Sequence, residues 1–194
     1  ILGFIKYDGQ ITLDGEKMYA SVVEIDGDSA LKLDNNARSS EGYLNIKTDS
    51  VGNKYVFETD MMIASGSSSR SAREILQIFG SDRDNATESF GSSGIPGIRL
   101  KAIPVEGVVT YAITNGSDII KELEVGEWFN VRYEFEDWST VGSSIKVYVN
   151  GELAVDTVTK KTTTSFRYIR LWLPLDSAGE LYLDNTYFSA VTAE

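Results

Sequence analysis

The 194-residue chain contains neither cysteine nor histidine. These two absences exclude disulfide frameworks, thiol nucleophiles, imidazole bases and the usual zinc ligands. A Ser-His-Asp or Cys-His mechanism is therefore impossible. Catalysis by carboxylate, tyrosine or lysine side chains stays open.

Basic residues are also scarce, because 18 Lys and Arg stand against 29 Asp and Glu, for a formal net charge of −11. The acidic residues are spread along the chain and do not form a tail. Such a surface repels phosphate, so we do not expect nucleic acid as a partner.

No apolar run is long enough to cross a bilayer, and the chain begins at Ile1 without a recognisable signal peptide. We therefore expect no membrane insertion. We also expect a module excised from a larger multidomain protein that is extracellular or on a cell surface. Hydrophobic residues at 42% and aromatics at 11% supply a core, and no interior stretch resembles a linker, so residues 1–194 are expected to form one domain.

Apolar and polar residues alternate with a period of two along most of the chain, and no segment sustains helical spacing. Turn pairs such as Asp26-Gly27 and Asn150-Gly151 separate the alternating runs. About a dozen strands are predicted in this way. The predicted fold is an all-β, two-sheet antiparallel β-sandwich.

Two adjacent runs, GEWFNVRYEF at 126–135 and IKVYVNGEL at 145–153, have the form of a β-hairpin. Together with YVFETDMM at 55–62 and GELYLDN at 179–185, they resemble the concanavalin A-like, laminin-G-like jelly rolls of bacterial extracellular modules. The resemblance implies a jelly-roll fold. It leaves function open, because this superfamily includes lectins, carbohydrate-binding modules, adhesins, glycoside hydrolases and polysaccharide lyases.

The strand predicted over Ser165–Pro174 carries the candidate binding residues. Ile169, Leu171 and Leu173 share one face, so alternation predicts Tyr168, Arg170 and Trp172 together on the other. Aromatic rings and planar polar groups suit a glycan ligand. We expect three residues of neighbouring strands to extend this surface, namely Arg99, Lys101 and Tyr111. In the alternative interpretation, Tyr168 and Trp172 pack in the core.

Two further tryptophans allow two interpretations each. Trp138 lies in a polar hairpin tip, where it is either an exposed binding residue or a lid on the core. Trp128 begins a strand, where it is either a sugar platform or a residue that closes the end of the sandwich. The second is typical of similar folds, so we expect Trp128 in the core. The long connections Ser65–Arg73 and Gly80–Pro96 are also candidate functional loops.

Catalytic patterns are incomplete. Glu58 and Asp60 alternate onto one face of a strand, as a pair of glycosidase carboxylates requires, but a third acidic residue of the hydrolase pattern is missing. The strand Glu74–Phe79 resembles the strand on which alginate-lyase-type jelly rolls place a Gln and a catalytic His. Phe79 stands at the position of that His, which argues against that mechanism.

Calcium is the metal that this composition allows, because Asp and Asn oxygens suit its flexible coordination. The candidate ligands are Asp184 and Asn185, with Asp26 and Asp28 of one turn or the acid of the Asp8-Gly9 turn. The same Asp-Gly residues are also ordinary turn formers, so a structural Ca²⁺ and a simple turn both explain them.

From these observations the sequence predicts a non-catalytic, lectin-like module that binds a polysaccharide or glycan. Two alternatives remain: a structural or adhesive spacer that binds no sugar, and a carboxylate-based glycan hydrolase that uses Glu58 and Asp60.

Overall fold

The structure is a computed structural model. It describes residues 5–7, 11–14, 19–34, 42–47, 54–64, 73–81, 98–106, 108–115, 117–136, 142–158, 168–173 and 180–191. Within these ranges the secondary structure is entirely β, as the alternating pattern predicts.

Fifteen strands are present in the described part of the chain. In order they are β1 Ile5–Tyr7, β2 Ile11–Asp14, β3 Tyr19–Ile25, β4 Asp28–Asp34, β5 Gly42–Lys47, β6 Lys54–Ile63, β7 Arg73–Ser81, β8 Ile98–Val105, β9 Val108–Asn115, β10 Asp118–Leu123, β11 Trp128–Glu136, β12 Ser144–Val149, β13 Glu152–Val158, β14 Tyr168–Leu173 and β15 Glu180–Val191.

The strands form two sheets that pack as a jelly-roll β-sandwich. The eight-stranded sheet has the order β13-β12-β11-β6-β15-β4-β3, with β1 pairing in parallel with β15. The seven-stranded sheet has the order β10-β9-β8-β7-β14-β5-β2, and its pairings are antiparallel. The predicted fold class is therefore confirmed.

The core lies between the sheets and follows from strand alternation. On β11, Phe129, Val131, Tyr133 and Phe135 are buried, whereas the residues between them are half-buried on the outer face. Phe57 and Phe188 complete an aromatic centre, with their ring centroids 6.1 Å apart. Each such side chain stabilises the fold by roughly 1.5–3 kcal/mol relative to an exposed position.

Two predicted hairpin turns have the backbone that their sequences require. Asp26 and Gly27 have φ angles of 53° and 89°, and Asn150 and Gly151 have φ angles of 50° and 78°. Two successive positive φ values match the twist of antiparallel strands, which explains the Asp-Gly and Asn-Gly pairs at these points.

Three strands were missed in the sequence. β1 and β2 are only 3 and 4 residues long. β10 lies at the edge of its sheet, and none of its residues is fully buried. An edge strand that buries no full face leaves little alternation to detect.

The described ranges contain no helix that is long and apolar enough to cross a membrane.

Candidate functional site

The outer face of the seven-stranded sheet gathers most of the predicted binding residues. Leu171 on β14 is fully buried and pairs with the buried Leu44 on β5. Positions 168, 170 and 172 therefore lie on the opposite face of the sheet, because successive residues of a strand alternate between faces. The predicted roles of Tyr168, Arg170 and Trp172 as binding residues stay predictions.

Cross-strand register adds neighbours to these three positions. Trp172 stands opposite Gln77 on β7, and Gln77 stands opposite Arg99 on β8. Tyr168 stands opposite Lys47 on β5. Directly opposed residues share a face, so these positions form one surface across four adjoining strands.

We call this surface the basic face. Its outward positions on β5, β14, β7 and β8 include four basic residues and one acidic residue, Glu74, which stands opposite Lys101. The four basic residues are Lys47, Arg99, Lys101 and Arg170. This balance is the reverse of the whole chain, whose formal charge is −11.

Beside β8, two outer-face positions of β9 are buried. Ala112 and Thr114 on β9 pair with Lys101 and Arg99 on the outer face, yet both are almost fully buried. Arg99 and Lys101 are only half-buried. The long side chains of Arg99 and Lys101 are therefore more exposed than the short side chains opposite them.

Tyr111 does not belong to this surface, so its predicted placement beside Arg99 and Lys101 needs correction. It pairs with Ala102 and is 5% exposed in the core. The period of two decides this, because Tyr111 is one residue away from Ala112, which is the residue opposite Lys101.

Two other predictions cannot be placed. Trp138 lies outside the described residues, and so do residues 65–72 and 82–97 of the two candidate loops. Their predicted roles stay predictions.

A polar network covers the outer face of the eight-stranded sheet at the predicted carboxylate pair. Asn130 Nδ2 donates to Glu58 Oε1 at 3.1 Å and to Asp60 Oδ1 at 2.8 Å. One nitrogen thus joins both carboxylates, so these two oxygens lie at most about 6 Å apart. Asn130 is itself held, since its backbone N–H donates to Asn150 Oδ1 at 2.8 Å.

Arg132 ties this network together. Its Nη1 donates to Glu58 Oε2 at 3.0 Å, and its Nε donates to Glu134 Oε1 at 2.9 Å. Burial acts to lower the pKa of Arg132, but its hydrogen bonds and ion pairs with Glu134 and Glu58 outweigh burial and raise the pKa above the usual value. Both carboxylate oxygens of Glu58 are thus engaged, Oε2 by Arg132 and Oε1 by Asn130.

A β-bulge in β15 places Asn185 beside this network. The register with β6 shifts between Asp184 and Tyr187, and Asn185 has a φ of 46°. Its Nδ2 donates to Asp60 Oδ2 at 2.9 Å. This bond uses the amide nitrogen of Asn185, whereas the predicted calcium ligand is its side-chain oxygen.

The other three predicted calcium ligands do come together. Asp26, Asp28 and Asp184 line a pocket of about 170 Å³, together with Ile25, Ala30 and Trp128. Nevertheless, in the described part of the chain no three acidic side chains are arranged so that they could hold a metal ion. The predicted structural Ca²⁺ stays a prediction.

Trp128, expected in the core, is 39% exposed and forms a wall of that pocket. The position follows from alternation, because Phe129 is the buried residue and Trp128 pairs with Met62 on the outer face. The period of two along the strand thus predicts the outer face for Trp128, and the expectation that it lies in the core is wrong.

Comparison with known proteins places this fold among polysaccharide-active structures. No family model and no curated protein matches the sequence. An alginate lyase solved with an alginate tetrasaccharide matches with a TM-score of 0.59 at 14% identity, over 89% of this chain and 84% of the lyase. An alginate lyase from a Chlorella virus matches with a TM-score of 0.53 at 13% identity, over 92% of both chains.

An endo-β-1,4-glucuronan lyase from the fungus Trichoderma reesei is also similar, with a TM-score of 0.52 at 11% identity, over 98% of this chain and 91% of the lyase. At these identities the likeness shows the fold alone. The prediction of a non-catalytic, lectin-like module is nevertheless wrong on this comparison, because several of the structures that share the fold are lyases that degrade polysaccharides.

Proposed function

We propose that this chain is a polysaccharide-degrading enzyme, and that the basic face is its substrate surface. The observation that carries the proposal is the excess of basic over acidic positions on that face in a strongly acidic chain. Concentrated positive charge attracts a polyanion, while the rest of the surface repels it. The substrate class that fits is an acidic polysaccharide.

The solved structures of this fold support the same substrate class. The named substrates of the three lyases, alginate and glucuronan, are polymers of uronic acids. A uronic acid polymer carries one carboxylate on each sugar, which arginine binds in a bidentate manner. We propose a glycan of this kind as the partner, and β-elimination as the reaction.

Elimination needs three kinds of groups. A cation neutralises the sugar carboxylate, so that the neighbouring C5 proton can leave. A base takes that proton as the C4–C5 double bond forms, and an acid protonates the oxygen that leaves C4. Histidine is not required for either proton transfer. Phe79 in place of a histidine therefore excludes one version of the mechanism and leaves elimination possible.

The backbone places three suitable residues side by side. Tyr168 and Arg170 occupy alternate positions of β14, and Lys47 stands opposite Tyr168 on β5. We assign Arg170 to the sugar carboxylate, and Tyr168 and Lys47 to the proton transfers. Neighbouring cations stabilise a phenolate, which allows a tyrosine to act as a base.

The other positions of the basic face lie farther along the sheet. Trp172 and Gln77 share one row with Arg99, and Lys101 follows on β8. We assign them to flanking sugars of the chain, through stacking on the indole and hydrogen bonds or ion pairs to carboxylates.

The test is degradation of a panel of polyuronates, with ultraviolet absorbance of the unsaturated product as the signal of elimination. Tyr168→Phe should lower kcat by about 10²–10⁴-fold, the usual contribution of a proton-transfer group. Arg170→Ala should lower it by about 10²–10³-fold. Tyr148→Phe and Lys146→Ala, on the outer face of the other sheet, are the matched controls and should retain activity.

Two results would contradict the proposal. The first is a folded wild-type protein that degrades none of the polyuronates. The second is activity that survives Tyr168→Phe and Arg170→Ala as well as it survives the controls.

A second candidate is a retaining glycan hydrolase that uses Glu58 and Asp60. The observation in its favour is their separation of at most about 6 Å, since the carboxyl groups of retaining enzymes lie about 5–5.5 Å apart. Its weakness is that Asn130 and Arg132 already occupy both oxygens of Glu58. Hydrolysis releases reducing ends without the ultraviolet signal of elimination. The Glu58→Gln substitution should abolish this release of reducing ends.

The proposal has three further parts. They are placement in the concanavalin A-like superfamily, an extracellular or cell-surface location, and membership of a larger multidomain protein. The shared jelly-roll fold supports the first of these, while the other two stay predictions.

A further inference from the structure

The hydroxyl group of Tyr133 is a buried polar group that the proposed chemistry does not use. Tyr133 lies on β11 and is 2% exposed, with its ring centroid 6.3 Å from that of Phe57. Phenylalanine would pack the same ring at this position. Burial raises the pKa of Tyr133 above its usual value, because a phenolate here would lose its hydration, so the hydroxyl stays neutral.

This hydroxyl connects the two sheets. Its oxygen accepts a hydrogen bond from the backbone N–H of Ile98 at 3.1 Å. Ile98 is the first residue of β8, in the seven-stranded sheet. Strand ends are where a sheet opens most easily, so Tyr133 holds the beginning of β8 from the core side.

The residue that follows Ile98 is Arg99, on the basic face. The Arg99 carbonyl is approached by Thr114 Oγ1, at 3.5 Å, and Thr114 is 1% exposed. Side-chain hydrogen bonds thus reach the backbone on both sides of the Arg99 Cα atom, one from the core and one from the outer face. Tyr133 provides the shorter of the two.

We infer that Tyr133 is a positioning residue for Arg99, and this inference rests on the proposed function of the basic face. A guanidinium lies at the end of a long side chain, so a small shift of its backbone displaces it from a sugar carboxylate. Binding groups have to be held within about 0.5 Å, which takes support from a second layer of hydrogen bonds. The Tyr133 hydroxyl supplies that support through Ile98.

The direct test is amide hydrogen exchange of the Tyr133→Phe variant. The Ile98 and Arg99 amides should exchange faster by about tenfold or more, beyond any change shared by the whole chain. The control is Leu33→Ala on β4, which removes buried side-chain volume from a strand that pairs with neither β8 nor β11. If both variants change the Ile98 and Arg99 amides alike, the inference is overturned.

The functional test is a double-mutant cycle on polyuronate degradation, with alginate as the probe. Tyr133→Phe should raise KM by about 5- to 30-fold with little change in kcat, because Arg99 binds a flanking sugar. In an Arg99→Ala background the same substitution should raise KM no further. Equal effects in the two backgrounds would overturn the inference.

The proposed function and the positioning role of Tyr133 can be tested separately. A wild-type protein without activity on any polyuronate contradicts the proposed function, and the exchange experiment still decides whether Tyr133 holds β8. An active wild type whose Tyr133→Phe variant shows no coupling to Arg99 contradicts only the inference.

Discussion

Replacement of Thr59 by valine should destabilise the protein although it changes almost no volume. Thr59 lies on β6 and is fully buried. Its Oγ1 is 2.8 Å from Thr186 Oγ1 and donates to the Asp184 carbonyl at 3.3 Å. These contacts lie at the bulge of β15, where the regular ladder with β6 is interrupted.

The magnitude follows from the groups left behind. Valine fills the space of threonine, so the cavity term is small, but the buried Thr186 hydroxyl loses its shorter partner. A buried polar group without its partner costs about 1–3 kcal/mol. For a chain of this size, each kcal/mol lowers the melting temperature by about 2–4 °C.

The assay is urea unfolding of Thr59→Val, Thr186→Val and the double variant. Removal of both hydroxyls leaves neither one unpaired, so the double variant should cost less than the sum of the single variants. Thr59→Ser is the control, since it keeps the hydroxyl and loses only a methyl group, at about 1 kcal/mol.

A Thr59→Val variant within about 0.5 kcal/mol of the wild type would refute this reasoning, since that is the usual effect of a surface change. Strictly additive costs in the double variant would refute it as well.

Three further predictions concern ionisation, backbone and metal. The pKa of Tyr133 is raised in the folded state, so its contribution to the free energy of unfolding is complete below about pH 10 and is lost as the pH rises further. Tyr133→Phe should therefore flatten the alkaline part of a curve of unfolding free energy against pH. An unchanged slope would contradict this prediction. A Cβ atom added at Gly151 would meet no atom within 4 Å, but the backbone there has a φ of 78°. Gly151→Ala should therefore lower the free energy of unfolding by about 1–2 kcal/mol, in thermal or urea unfolding, through backbone strain alone. An unchanged free energy of unfolding would be inconsistent with that turn. If Asp26, Asp28 and Asp184 hold a calcium ion, a chelator should lower the melting temperature and free calcium should restore it. A melting temperature indifferent to both would contradict the calcium prediction.

Strand faces were predictable from the sequence, because alternation is a local property. The buried residues of β11 and the buried Leu171 of β14 follow directly from the period of two. The two turns with positive φ follow from their Asp-Gly and Asn-Gly pairs. Where the local pattern was overruled, as at Trp128, the prediction failed.

Partners across the sheets were not predictable in the same way. Asn130 and Arg132 reach Glu58 across 72 and 74 residues of chain. The sequence showed that Glu58 and Asp60 share a face, but not that an amide and a guanidinium hold them. Tyr111 illustrates the same limit, since its burial depends on the register between β8 and β9.

Composition and periodicity by themselves determined that this chain forms a β-sandwich and that histidine and thiol chemistry are impossible in it, because both conclusions depend only on residue types and their local order. Only the tertiary structure decided the candidate site. β14 lies between β5 and β7, which come from distant parts of the chain, and this order brings Tyr168 and Arg170 beside Lys47 and into one surface with Arg99. Strand order depends on which apolar faces pack together over long sequence separations, and alternation within a single strand carries no information about that choice.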